Sequence, residues 1–257
     1  MTIPRRNTRR RRPVSSGIAA LLASALLSFA NAGDAAAQDY AAIVAAPDRT
    51  DPDRQTDQRR KPAELLAFAR LKTGMKVLDM GAGGGYSTEL IARAVGTTGK
   101  VFAQDGPTPN ERAKASFDAR QAKPVMTDVV RLVRPFDDPL PAGESNFDLI
   151  SFLFYYHDTT YLTVDRALMN KRLLAALKPG GMLLIADHSA KAGDGANVGK
   201  SLHRIEESAL RAEIEAAGFR FVAATDILRN PQDPRDKPVF RPEQPVDEFV
   251  LLFEKPK

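Results

Sequence analysis

The stretch VLDMGAGGGYST, Val77 to Thr88, decides the fold. It begins as the short apolar run a buried strand needs, passes through glycines, and enters Ser87 to Val95, where apolar residues recur at helical spacing. A strand that feeds a helix through a glycine loop puts that loop beyond the carboxyl edge of a parallel sheet, where such sheets take their ligands. One acid and three glycines fall at alternate positions, Asp79, Gly81, Gly83 and Gly85. Glycine is needed there because the backbone must turn sharply and let a ligand lie against it, which a Cβ would obstruct. A dinucleotide fingerprint requires Gly or Ala three places after its second glycine, and that place holds Tyr86. A nicotinamide-dependent oxidoreductase is therefore disfavoured.

The alternation continues on both sides of this stretch. Upstream, Pro62 suits the first turn of a helix, and Leu65, Leu66, Phe68 and Ala69 give one apolar face to a segment ending near Gly74; Met75 to Met80 is then the strand. Downstream the sequence predicts a strand at Lys100 to Gln104, a helix around Asn110 to Ala122 and a strand at Asp128 to Val133. A strand at Phe147 to Phe152, a helix at Val164 to Leu177, a strand at Met182 to Ala186 and a helix at Glu206 to Ala217 follow. This is the pattern of an α/β, Rossmann-like three-layer sandwich, with a mostly parallel seven-stranded sheet covered by helices on both faces. Phe219 to Ile227 and Glu248 to Glu254 are strand-like with no helix between them, so they should pair antiparallel and supply an antiparallel C-terminal strand. Between them, Leu228 to Asp247 holds five prolines and predicts a long surface loop placed to act as a lid.

Charge narrows the partners. The formal charge is +5, but six of the 37 basic residues and one of the 32 acids lie before Gln38, which leaves 31 of each in the body. A neutral body argues against nucleic acid as a partner. With no cysteine there is neither a disulfide framework nor thiolate chemistry. Residues 1–37 run from the basic RRNTRRRR through apolar Val14 to Ala30 into the small residues of FANAGDAAAQ, the order of an export signal peptide. Cleavage after Ala32 or after Ala37 satisfies the small-x-small rule equally, giving a periplasmic or secreted protein. An uncleaved membrane anchor and a mitochondrial-type presequence are the alternatives. Ser15, Ser16, Gly17, Ser24 and Ser28 dilute the apolar run below the roughly 20 residues of a spanning helix, so no stable membrane span is expected after cleavage. Residues 38–61, polar and broken by Pro47 and Pro52, read as a lead-in arm to a domain over 62–257. Oligomeric state leaves no signal.

The acid-x-Gly-x-Gly-x-Gly order from Asp79 to Gly85, the run VFAQD ending at Asp105, the string FDLI from Phe147 and the string LKPGG from Leu177 resemble, in that order, the class I S-adenosylmethionine-dependent methyltransferases. The resemblance covers roughly Pro62 to the end and implies S-adenosyl-L-methionine as cofactor and methyl transfer as activity. In that family the first acid, here Asp79, orients the methionine end of the cofactor, partly through the loop and water. Gly81, Gly83 and Gly85 correspond to the glycines that line its adenosyl and methionyl portions, and Asp105 to the acid that binds the ribose diol. A carboxylate suits a diol because its two oxygens accept from two hydroxyls, each bond contributing about 1.5–3 kcal/mol. The acid that often ends the third strand is displaced: the register puts Phe136 there, expected against the purine or the sheet, with Asp137 one place later as the adenine-side candidate.

Chemistry belongs at the ends of the fourth and fifth strands, which read YYHDTTY and ADHSA. Two of the three histidines, His157 and His188, fall there, and His203 sits in SLHRIEE before the last helix. These strings look like a branch of predicted bacterial methyltransferases that carry signal peptides. His157, oriented by Asp158 or by Asp187, is the expected general base, with His188 beside it. Three imidazoles with nearby carboxylates are also metal-ligand types, but no close His-x-x-x-His pair exists, so no metal is assigned. Arg204 either receives an anionic substrate group or pairs with Glu206 or Glu207, the second being favoured. Phe152, Phe154, Tyr155, Tyr156 and Tyr161 offer walls for a small-molecule substrate, although strand alternation assigns Phe152 and Phe154 to the core. The competing function is an exported ligand-binding protein that keeps the fold without transfer, since export removes it from cytosolic cofactor.

Overall fold

The computed structural model describes residues 1–2, 38–108, 110–240 and 242–257. The expected signal segment therefore lies, apart from Met1 and Thr2, outside the described residues. Among those described, no helix is long and apolar enough to cross a membrane. Contacts divide the chain after Ala36, and the unit Ala37–Lys257 carries every helix and strand described below.

Two short helices come first, α1 (Tyr40–Val44) and α2 (Asp51–Arg60), then α3 (Pro62–Phe68). The predicted alternation follows as β1 (Lys76–Met80), α4 (Tyr86–Val95), β2 (Lys100–Asp105), α5 (Glu111–Gln121), β3 (Val129–Val133) and β4 (Phe147–Leu153). Next are α6 (Arg166–Ala176), β5 (Leu177–His188), α7 (Gly199–Leu202), α8 (Glu207–Ala216), β6 (Arg220–Thr225) and β7 (Glu248–Glu254). The strands form one seven-stranded sheet in the order β3-β2-β1-β4-β5-β7-β6. All neighbouring pairs are parallel except the two made by β7, which runs antiparallel to β5 and β6. The order reverses between β1 and β4, and the crevice outside their carboxyl ends is where such a sheet binds ligands.

Strand alternation sorts the core into two layers. Val77, Leu149, Leu184, Val250 and Leu252 face one side with Leu65, Leu90, Ile91 and Phe117 from α3, α4 and α5. Leu78, Ile150, Leu183, Ile185, Leu251 and Phe253 face the other with Met169, Leu173, Leu210 and Ile214 from α6 and α8. The period of two along each strand is what sends neighbours to opposite layers. β5 begins earlier than expected: Leu177 already pairs with Phe147, and a register shift before Leu149 absorbs the LKPGG turn into the strand.

The lead-in segment departs most from expectation. Residues 51–60, DPDRQTDQRR, have no apolar face, yet they form α2. Thr50 and Asp53 make a reciprocal capping box and Pro52 sits in the first turn, an arrangement whose cap is worth about 0.5–2 kcal/mol. Ion pairs then dock the helix: Arg49 forks onto Asp57 at 2.6 and 2.7 Å, and Arg120 of α5 holds buried Asp53. Burial would raise the Asp53 carboxyl, but the Arg120 hydrogen bonds and charge bring it down to about 2. Periodicity is blind to a helix fixed by charges instead of by an apolar stripe.

Candidate active site

Asp79, next to last in β1, is buried at 1% exposure, and its partners follow from local geometry. Thr88, in the first turn of α4, donates to Oδ2 at 2.6 Å. Ser151, directly opposite in the β1–β4 register, donates to Oδ1 at 2.8 Å. Burial pushes the Asp79 carboxyl up to about 6, with a contribution from Asp105. Asp105, ending β2, is also raised, chiefly by burial, against the opposing effects of Arg131 and of the Gly83 and Gly106 backbone amides. Two buried carboxylates that raise each other's cost of ionisation favour a cationic neighbour.

Between them the loop follows the expected alternation, with φ of 65°, 53° and 78° at Gly81, Gly83 and Gly85. At Gly81 a side chain is excluded twice, by the left-handed φ and because a Cβ would lie 2.8 Å from Tyr155 Cγ. Gln104, fully buried, is an addition to the expected set. Its Nε2 donates to the Arg134 carbonyl at 2.7 Å and its backbone carbonyl accepts from Ala82, so it ties the glycine loop to β2. A lone amide inside the run VFAQD is the signal that marks it.

A cavity of about 340 Å³ opens over this loop, lined by Asp79, Gly81, Gly83, Leu153, Phe154 and Tyr155 and walled by Asp53, Thr56 and Arg60 of α2. Tyr86, the residue that breaks the dinucleotide pattern, donates its hydroxyl to Asp57 at 2.6 Å and so holds that wall in place. Arg60 stacks its guanidinium 3.7 Å above the Phe154 ring. Burial lowers its pKa to about 10, and its Nε has no hydrogen-bond partner among the described residues. Neither Arg60 nor α2 belongs to the expected site, because the apolar pattern gives no reason to fold those residues over the loop.

The second half of the site is a histidine edge. After β4 the chain enters a tight helical turn, Tyr156–Thr160, that carries His157 and Asp158. Asp187, the next-to-last residue of β5 and fully buried, accepts from His157 Nδ1 at 2.6 Å, from the His157 amide at 2.8 Å and from the His188 amide at 2.8 Å. A carboxylate only accepts, so the proton sits on Nδ1 and the Nε2 lone pair is left for another partner. Burial opposes charge on the ring, but Asp187 outweighs it and raises the His157 pKa above the ordinary value. Asp187 is correspondingly lowered, its burial overcome by His157. Asp158 Oδ1 lies 3.5 Å from His157 Nε2 and 3.2 Å from His203 Nδ1, and these three residues bring one ligand atom each within 4.8 Å of one another. His188 Nδ1 stands 2.9 Å from Glu248 Oε1, but out of hydrogen-bond alignment. The His188 ring lies 5.4 Å from that of His157 and 5.4 Å from that of Phe154, by centroids.

Several expectations are corrected. Asp137 does not line the cavity; its carboxylate accepts from the Asp165 amide at 3.2 Å, beside the start of α6. Phe136 packs on the sheet side, stacked 5.2 Å from Tyr155 and 6.1 Å from Phe152. Tyr156 is core, because its hydroxyl donates to Glu213 at 2.7 Å and accepts from Asn170 at 2.8 Å. Phe152 is core as expected, whereas Phe154 is both buried and a cavity wall. Arg204 meets neither a substrate position nor Glu206 or Glu207. It is buried and binds Asp233 at 2.8 Å and the Lys237 carbonyl at 3.1 Å, pinning the proline-rich loop. Buried Leu228, Asp233, Val246 and Asp247 anchor that loop further.

Among known proteins, residues 54–224 match the family profile described as a methyltransferase domain, more than half of the chain. The ubiquinone/menaquinone biosynthesis C-methyltransferase UbiE of Idiomarina loihiensis is 33% identical over 119 residues, 46% of this chain and 45% of that protein. The match thus spans under half the length of the curated relative. Of solved structures, a SAM-dependent methyltransferase from Aquifex aeolicus is similar with a TM-score of 0.56 at 21% identity, over 80% of this chain and 99% of that one. The [4+2]-cyclase SpnF is similar with a TM-score of 0.58 at 16% identity, over 79% and 82%. At such identities the likeness shows the fold, and the fold alone does not fix the reaction.

Proposed function

The chain belongs to the methyltransferase-domain family, and from that premise we propose that it transfers a methyl group from S-adenosylmethionine to a small-molecule acceptor docked at the histidine edge. The cavity fits the cofactor by charge: the raised Asp79 carboxyl lines one part of it, with raised Asp105 accepting from the Gly83 amide of the same loop, and Arg60, whose Nε has no partner among the described residues, lines another. Asp105 would hold the ribose hydroxyls, Asp79 and the glycine loop the amino-acid end, and Arg60 its carboxylate. The cofactor supplies a methyl group on a sulfonium, an electrophile that needs only an aligned nucleophile.

The observation that carries the proposal is Phe154. It lines the cavity on one side, and its ring stands 5.4 Å from His188, next to His157, on the other. Cofactor and acceptor positions are therefore separated by one side chain, with His157 fixed by Asp187 and its Nε2 available to activate the acceptor. The relative's name specifies methylation of carbon in quinone biosynthesis, which supports an unsaturated, oxygen-bearing acceptor. Export remains proposed from the basic, apolar and small-residue order of residues 1–37.

Calorimetric titration with S-adenosylmethionine and with its demethylated product tests the cofactor half. Micromolar binding that is lost in Asp105→Ala is the expected result. Failure of both ligands to bind would leave a ligand-binding protein on this fold as the better reading.

A further inference from the structure

All three histidines of the chain stand at one edge, and the chain has no cysteine. His157 is 5.4 Å from both His188 and His203 by ring centroids. We propose that His157 Nε2, the Asp158 carboxylate and His203 Nδ1 hold a divalent cation of the zinc class, and that the acceptor is an enol or phenol bound to it through oxygen. This rests on the acceptor half of the reading above and names its substrate class.

Spacing is the first support. Metal bonds of roughly 2.0–2.1 Å place tetrahedral ligands about 3.3 Å apart; Asp158 Oδ1 is already 3.5 Å from one imidazole nitrogen and 3.2 Å from the other. The donor set of two nitrogens and one oxygen suits zinc or iron better than magnesium or calcium, which prefer all-oxygen cages. Orientation is the second. Asp187 takes the Nδ1 proton of His157 at 2.6 Å, the carboxylate–histidine arrangement that fixes the free lone pair of a metal-bound imidazole. The Tyr161 hydroxyl donates to Asp158 and fixes that ligand in turn.

Backbone geometry is the third. His203 caps α7 at φ 53°, a left-handed conformation that few residues other than glycine adopt. α7 is pressed onto the His157 turn at Gly199, where a Cβ would meet Thr160 Oγ1 at 2.0 Å and the His157 carbonyl at 2.7 Å. The chain accepts both constraints and thereby delivers His203 to Asp158. The surroundings supply the acceptor class. Phe240, 66% exposed, stands 4.6 Å from the His203 ring, and Tyr161, 38% exposed, stands 6.0 Å from it, so two aromatic rings rim the site for a planar molecule. Three protein ligands leave a tetrahedral cation one open position. A hydroxyl bound there loses its proton to water more readily, and the charge of an enolate or phenolate is shared between oxygen and the carbon next to the oxygen-bearing one, which can attack the methyl carbon as the demethylated thioether leaves. His157 then acts on the acceptor as a ligand and not by taking its proton.

The test uses the full-length chain, purified without an affinity tag and stripped with a chelator. Zinc titration by calorimetry should show one ion per chain with micromolar or tighter affinity, and cobalt in its place should give the visible bands of a tetrahedral site. His203→Asn keeps a residue that tolerates the left-handed conformation, and it should weaken zinc at least about tenfold, as should Asp158→Asn. S-adenosylmethionine is titrated into the same samples. No stoichiometric zinc uptake, or uptake indifferent to both substitutions, overturns the cation site; intact cofactor binding in that case leaves the methyltransferase reading standing. Zinc uptake sensitive to both substitutions supports the site even if cofactor binding is absent, which would sink the methyltransferase reading instead.

Discussion

The two ends of the site are built by different rules. At the cofactor end the groups come from one continuous string and from strand ends in register: Asp79, its partner Thr88 nine residues on, and Ser151 opposite it across the β1–β4 ladder. At the proposed acceptor end the neighbours His157 and Asp158 depend on partners from distant segments. His157 and Asp187 are 30 residues apart, and His203 arrives on a separate short helix. The difference teaches that the proposed cofactor end, its α2 wall apart, is a property of the motif, whereas the proposed acceptor end is a property of how three segments pack. Damage to one should leave the other intact.

The sharpest way to break this comparison is His157→Asn. Methyl transfer, followed as release of the demethylated cofactor, should fall at least about tenfold, because the proposed cation loses one of its three ligands, with cofactor affinity unchanged. A parallel loss of cofactor affinity would show that the two ends are coupled. Asp105→Ala is the converse. Losing hydrogen bonds to a charged group, each about 1.5–3 kcal/mol, should weaken S-adenosylmethionine by at least about tenfold in calorimetry and leave zinc uptake alone.

A smaller effect separates the ends by pH. Burial holds the Asp79 carboxyl at about 6 in the folded chain, above its unfolded value. Its contribution to apo stability is fully present below the unfolded pKa and is lost as pH rises through about 6. Affinity for a cationic ligand should change the opposite way, falling by up to about tenfold per unit as pH drops below 6 and the carboxylate is protonated. Comparison of wild type with Asp79→Asn at pH 5 and 7.5, by denaturant midpoint and by titration, isolates this group; a variant with the same pH slopes as wild type removes Asp79 from both roles. The smallest effect is expected from Tyr86→Phe, which removes only the bond to Asp57. It should cost about 1–3 kcal/mol or less in unfolding free energy and weaken the cofactor several-fold by loosening α2. Unchanged cofactor affinity would show that α2 is a scaffold and not a wall.

Legibility in the sequence follows the same division. The glycine loop and the antiparallel final strand are readable because each depends on residues within a few positions or on strand periodicity. Asp137 misleads because its position is inferred from the end of β3, where the chain turns toward α6 and gives that carboxylate to a backbone amide. Tyr156 reads as a pocket wall because the run of aromatics hides which ring turns inward toward Glu213. Arg204 reads as a partner of its sequence neighbours, although a buried guanidinium needs a buried acid, and the one it takes comes from the loop at Asp233.

By itself the sequence determined the order of the strands and of the helices between them, the loop that must be free of side chains, and the histidines and carboxylates at the strand ends. Those are local facts, set by side-chain period, glycine conformation and residue type. Tertiary structure alone decided that α2, a helix without an apolar face, closes over the loop through ion pairs, and that Asp187 is the acid that orients His157. It also decided that His203 meets Asp158. Charges and hydrogen bonds between distant segments carry no periodicity, so only packing reveals which of many possible partners each group takes.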